Sequence, residues 1–202
     1  MLIEHDGARP CVHPSAYVAP NAVLCGDVEV GADCRILFGA VLSAEDGPVR
    51  LGERCIVMEN AVVRGRAAHP ARLGDRVVGP HAYVNGAEVG DEAFSATGAA
   101  LFPGSRLGAR AEIRINAVLH VNSALPAGAE LPIGWVAVGD PATMLPPGAH
   151  EEIWEIQRTL DFAGTVTGLP PAQLADGGTM DALTRTYAAL YGRHLDDRIL
   201  PD

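Results

Sequence analysis

Aliphatic side chains recur every six positions along the first two thirds of the chain. Val12, Val18, Leu24, Val30, Ile36 and Leu42 keep the beat. After three extra residues it resumes at Leu51, Val57 and Val63. It returns at Leu73, slips by one residue at Val78 and at Val89 with Val84 between them, and runs on through Ser95, Leu101, Leu107, Ile113, Leu119, Leu125 and Leu131. Two residues ahead of nearly every aliphatic stands a small one: Ala22, Cys34, Ala40, Cys55, Ala61, Ala82, Ala99, Ala117. A helix repeats its apolar positions every 3.6 residues and a strand every 2. A period of six, with one large and one small inward residue, instead describes a solenoid of three flat faces per turn. Each face is then a short strand, and the small residue sits where the backbone crowds at a corner.

The stretches "SAEDGP" (residues 43–48) and "RGRAAHPAR" (residues 64–72) interrupt the beat and are expected to protrude as loops, the usual place for a binding face. Past "GDPATMLPPG" (residues 139–148) the spacing turns helical. Ile153, Ile156 and Leu160 share one face of a first helix, and residues 164–178 read as a Gly- and Pro-rich link. Thr179 caps a second helix with Met180, Leu183, Tyr187 and Leu190 on one side, ending near Gly192. The organisation is therefore a β-helix over residues 1–145 and a helical appendage over 146–202. The aromatic residues Trp154, Phe162, Tyr187 and Tyr191 read as packing for that appendage.

Composition narrows the function. The chain has 202 residues, only 5% of them aromatic, so the core is built of small aliphatics. A net charge of -10 with no lysine argues against nucleic acid and against an anionic membrane surface. No apolar run suits a membrane span. Cys11, Cys25, Cys34 and Cys55 form no CxxC pair, and no charged-then-apolar leader precedes them. They read as small buried thiols in a reducing, cytoplasmic protein.

The pattern is that of hexapeptide-repeat proteins and resembles the left-handed parallel β-helix fold: an all-β solenoid with C-terminal α-helices packed on it. Several segments are similar to the γ-carbonic anhydrase branch: "HPSAYVAPNAVLCGDVEVG", "VRLGERCIVMENAVVRG" and "IGWVAVGDPATMLPP". The resemblance implies a homotrimer in which three histidines from two adjacent subunits hold the metal. The matching positions carry Arg64, Pro80 and Asn85. The family's Arg-Gly-Asp segment reads Ser43-Ala44-Glu45, and its Gln-Asp pair reads Met58-Glu59. An active carbonic anhydrase is therefore not expected, and no cofactor is required.

The first expectation is a site at the subunit interface that holds a small anionic molecule without metal. Arg64 binds the anion there, Glu45 or Glu59 acts as general base, His81 shuttles protons, Asn85 donates to an oxyanion, and Tyr83 is an alternative acid. A relocated zinc or iron site would draw on His81 and His69, with Glu59 or Asn85. A second reading is acyl transfer from a coenzyme A thioester with His69 as base. A third is a non-catalytic structural or assembly protein. If an enzyme, the protein is lyase-like or an acyltransferase. His5, His13, His120, His150 and His194 show no mutual spacing and read as surface or cap residues.

Overall fold

In the computed structural model, which describes residues 1–170 and 179–201, the chain winds into a parallel β-solenoid with three sheets as its faces. Two faces have seven strands each and the third has ten. The six-residue beat is the interior. On the ten-stranded face Leu24, Leu42, Val63, Val84, Leu101 and Leu119 stack in register, one coil above the next, all fully buried. Val30, Leu51, Leu73, Val89, Leu107 and Leu125 form the second column, and Ile36, Val57, Val78, Ser95, Ile113 and Leu131 the third. Apart from Ser95 and its two neighbours, each aliphatic inside a column buries its side chain against like residues above and below, worth about 1.5–3 kcal/mol of transfer free energy apiece.

Corners impose their own column. Gly39, Asn60, His81, Gly98, Asn116 and Gly134 occupy equivalent turns between the third face and the ten-stranded one, and all have positive φ, from 56° to 73°. That backbone region suits glycine and tolerates asparagine. His81 is therefore a corner residue that happens to be histidine.

One small-residue position carries an arginine. Arg76 stands where Cys55 and Ala93 stand in neighbouring coils, and it is buried. Its guanidinium runs between coils to the carbonyls of Val89, Gly90 and Gly74. Burial lowers its pKa to about 10.

Both ends of the ten-stranded sheet are covered by antiparallel partners. Thr143–Leu145 folds back onto Val136–Val138, and Arg198–Ile199 returns from the C-terminus to pair with Leu2–Glu4. Capping strands of this kind remove open edges. Between them lie helices α1 (His150–Gln157), α2 (Phe162–Thr167) and α3 (Thr179–Gly192), then a 3₁₀ turn at Arg193–Asp196. None of the described helices is long and apolar enough to cross a membrane.

Four expectations need correction. Helix α2 occupies the start of the stretch read as a link, because Asp161 accepts a hydrogen bond from the Gly164 amide and Asn122 ties Leu160 and Thr165 to the solenoid. Residues 171–178 of that stretch, and the side chain of Thr179, lie outside the described residues. The segment 43–48 does not protrude: Ser43, Ala44 and Glu45 are buried beneath the tail. Of the four cysteines, Cys11 is exposed, while the other three are buried thiols. Trp154 is 55% exposed and does not join the aromatic packing that Phe162, Tyr187 and Tyr191 make.

Candidate functional site

On a strand, the residue after the inward aliphatic points out of the solenoid. On the ten-stranded face this places Cys25, Ser43, Arg64 and Asn85 in one outward row, each in register with the next. Phe102 and His120 follow Leu101 and Leu119 in the same way and extend it. The chain's own C-terminal elements lie over the row. Phe162 packs on His120 at 5.3 Å and on Phe102 at 6.1 Å. The Tyr191 ring lies 6.0 Å from the Arg64 guanidinium carbon, and Arg64 donates to its hydroxyl at 3.4 Å.

Arg64 and Asn85 are therefore neighbours on adjacent coils. Both carry unmet hydrogen-bonding capacity in a buried position: among the described residues, Nε of Arg64 has no acceptor and Oδ1 of Asn85 has no donor. An orphan donor beside an orphan acceptor costs free energy unless a ligand meets them. Tyr83, on the same strand as Asn85, has its pKa raised by burial.

The family's zinc does not fit these residues. Zinc needs neutral imidazoles and an open position, whereas the three matching positions offer a guanidinium, a proline ring and a carboxamide. Pro80 stands at the corner, in a column with Phe38, Glu59, Thr97, Ile115 and Ile133. Glu59 and His81 share this corner, and the His81 amide donates to the Glu59 carbonyl at 3.0 Å. His81 is exposed, at the start of the strand whose other end carries Asn85 and Gly86.

His69 sits at that other end. The segment 65–70 folds back on itself, with Arg66 and His69 exchanging backbone hydrogen bonds. Its imidazole approaches Gly104 so closely that a Cβ there would lie 3.1 Å from the ring. His69 lines a cavity of about 230 Å³ with Ser105, Asn122, Glu88 and Arg106. Burial, and the Arg66 charge after it, lower the His69 pKa and so favour the neutral ring. The hydroxyl of Ser105 is buried without a hydrogen-bond partner among the described residues. An open groove of about 740 Å³, lined by Arg50, Arg72 and Arg106 among glycine corners, adjoins the cavity at Glu88 and Arg106.

Within one chain, then, His69 and His81 stand at opposite ends of the strand Tyr83–Asn85. Arg64 and Asn85 are together, and Glu45 lies two residues past Ser43, beyond the strand's end, its carboxylate accepting from Ser43 at 3.2 Å.

Sequence reasoning missed a cluster above Glu45. Nε2 of His194 lies 3.1 Å from the Glu45 carboxylate, and its Nδ1 lies 2.8 Å from Asp197. The other Asp197 oxygen lies 2.6 Å from Nδ1 of His5, whose ring stacks on His194 at 4.4 Å. Cys25 points at Asp197 across 3.9 Å. Burial, then Asp197 and Glu45, push the Cys25 thiol up to about 12. Burial opposes the charge on His194, but its bond to Asp197 and the carboxylates around it outweigh that and raise its pKa. His5 and His120 are buried beneath the tail, contrary to the surface reading. The only local hint was the spacing of His194 and Asp197, one turn apart; their partners lie about 170 and 190 residues away in sequence.

The fold and this outward row define a hexapeptide-repeat solenoid with a polar face roofed by its own C-terminus. No family model matches the chain. It is 31% identical over 151 residues to a mitochondrial gamma carbonic anhydrase 1 of Arabidopsis thaliana, covering 71% of this chain and 53% of that protein. It is 29% identical over 178 residues to the carboxysome assembly protein CcmM of Synechococcus elongatus, covering 81% of this chain and 31% of that one. Among solved structures, UDP-N-acetylglucosamine O-acyltransferase of Moraxella catarrhalis shares the fold, with a TM-score of 0.50 at 13% identity over 94% of this chain and 93% of that one. The chain spans about half the length of the plant relatives it matches. The chain is thus a hexapeptide-repeat solenoid similar to the γ-carbonic anhydrases.

Proposed function

We propose that the protein is a homotrimer that holds a small anionic molecule, without metal, in a cleft between subunits centred on Arg64 and Asn85, and that it does not hydrate CO₂. The observation that carries this reading is the adjacent pair of buried, unpartnered groups on Arg64 and Asn85. The guanidinium holds a carboxylate or bicarbonate-like anion, and Oδ1 of Asn85 accepts from a hydroxyl of the bound molecule, such as bicarbonate or a hydroxy acid carries. Glu59 and His81 complete the cleft from the neighbouring subunit's corner. An apolar column supports burial of that corner: Phe38, Ile115 and Ile133 are exposed there, Ile133 by 64%.

The test is thermal stabilisation by a panel of small carboxylates and bicarbonate, run with sedimentation analysis. Hydrogen bonds to a charged group are worth roughly 1.5–3 kcal/mol, so Arg64→Ala is expected to weaken binding about 10- to 100-fold while the trimer persists. No stabilisation of the wild type, or a trimer lost with binding unchanged, overturns the proposal. CO₂ hydration above the buffer rate would also overturn it.

A second reading has its own observation, a cavity lined by His69 and Ser105 beside an arginine-lined groove. In that reading the groove takes the phosphates of a coenzyme A thioester, and His69 removes the proton of an acyl acceptor. Acetyl-CoA turnover abolished in His69→Ala, with Arg64→Ala active, would favour it.

A further inference from the structure

We propose that His5, Cys25, His194 and Asp197 form a binding site for one zinc-class divalent ion, which clasps the C-terminal tail to the first coils of the solenoid. One ligand atom from each of the four lies within 4.8 Å of the other three. Two imidazoles, a thiol and a carboxylate make an N₂OS set, which suits a borderline ion in tetrahedral geometry. Bonds of about 2.0–2.3 Å to such an ion would set the ligands roughly 3.3–3.7 Å apart. The two His–Asp197 contacts, at 2.6 and 2.8 Å, need to open by about an ångström or less to admit it. Asp197 and His194 can make that adjustment, because both sit in the tail and keep an exposed side that also gives an entry path.

Two features point to a ligand rather than to a hydrogen-bonded latch alone. Glu45 engages Nε2 of His194 and so aims Nδ1 into the cluster, while Ser43 holds Glu45. A carboxylate behind an imidazole is the arrangement that orients metal-binding histidines. Glu45, Asp197 and Asp6 bring three carboxylates together, answered by Arg193, through Asp6 and the Glu45 carbonyl, and by His194, which lies between Glu45 and Asp197. A dication at Nδ1 of His194 takes the place of a proton there and keeps positive charge among the carboxylates. On binding, the Cys25 thiol gives its proton to solvent and enters as thiolate. The site is separate from the Arg64–Asn85 cleft and does not depend on that reading.

The test uses full-length untagged protein. Elemental analysis is expected to give about one zinc per chain. Titrating the chelated protein with cobalt(II) is expected to produce the thiolate-to-cobalt charge-transfer band and tetrahedral d–d bands. The charge-transfer band should vanish in Cys25→Ser and persist in Cys11→Ser and His81→Asn. Glu45→Gln, which only positions His194, should weaken cobalt binding about 10- to 100-fold while the tetrahedral spectrum survives at saturation. Chelation should speed amide exchange in residues 187–191. Trace metal with no cobalt spectrum, or a charge-transfer band that survives Cys25→Ser, overturns the proposal. So does amide exchange that chelation leaves unchanged, which would reduce the cluster to a hydrogen-bonded latch.

Discussion

His81 holds a left-handed backbone, φ 56°, in a column otherwise filled by glycine and asparagine. An L-residue pays roughly 1–2 kcal/mol there, and asparagine recovers part of that by bonding its own backbone. Its imidazole makes no hydrogen bond within the chain that would offset the strain, among the described residues. His81→Asn should therefore stabilise the fold by about 0.5 kcal/mol. His81→Gly relieves more strain but loosens the unfolded chain by roughly 0.5–1 kcal/mol, so its net effect should fall between zero and about 1 kcal/mol of stabilisation. The same column supplies a control of opposite sign. A Cβ on Gly98 would lie 2.2 Å from Oδ1 of Asn116, at a φ of 69°, so Gly98→Ala should cost more than about 1 kcal/mol. Urea midpoints at constant m-value measure all three. If His81 completes the anion cleft, the stabilised His81→Asn protein binds its anion more weakly, the usual trade of stability against function. Destabilisation by either His81 variant refutes the strain argument. Stabilisation with unchanged anion binding removes His81 from the site.

Other outcomes follow from packing and charge. Leu119→Ala empties a fully buried slot between Leu101 and Ala137 and should cost about 3–5 kcal/mol, read from the urea midpoint. His120 is packed against Phe102 and Phe162, and burial lowers its pKa. Its unfolded form binds the proton more readily, so it contributes stability above the ordinary imidazole pKa of about 6.5, lost as pH falls toward the lowered folded value. His120→Phe should flatten that part of the stability–pH curve, measured by thermal melts from neutral to mildly acidic pH. Ile133→Glu places a charge on the exposed apolar corner and should shift the sedimentation profile toward monomer without lowering the melting temperature of the isolated chain.

The solenoid was legible because one physical constraint repeats. Every coil must present a large aliphatic inward and a small residue at the corner, so the beat from Val12 to Leu131 carries the same information many times over. Interruptions were visible too, but not their direction. Nothing local to "SAEDGP" shows that Glu45 turns under the tail, because the residues that bury it, Arg193 and His194, come nearly 150 positions later. The His5–Cys25–His194–Asp197 cluster was illegible for the same reason. Its members are brought together by the antiparallel pairing of Arg198–Ile199 with Leu2–Glu4, and a two-residue strand leaves almost no periodic trace. Arg64 and Asn85 lie between these extremes. Parallel register makes positions one coil apart neighbours, so once the coil length of 21 residues between Val63 and Val84 is read, Arg64 must sit beside Asn85. Sequence therefore places residues within the solenoid's repeat well and residues across its ends poorly. Ser43, Arg64 and Asn85 come from the repeat, whereas the proposed metal clasp requires both ends of the chain to meet. The same asymmetry gives the two sites different dependences on the tail. Removing residues 193–202 should abolish cobalt binding outright. The Arg64–Asn85 pair would lose none of its own groups, since Tyr191, which lies over it, precedes the cut.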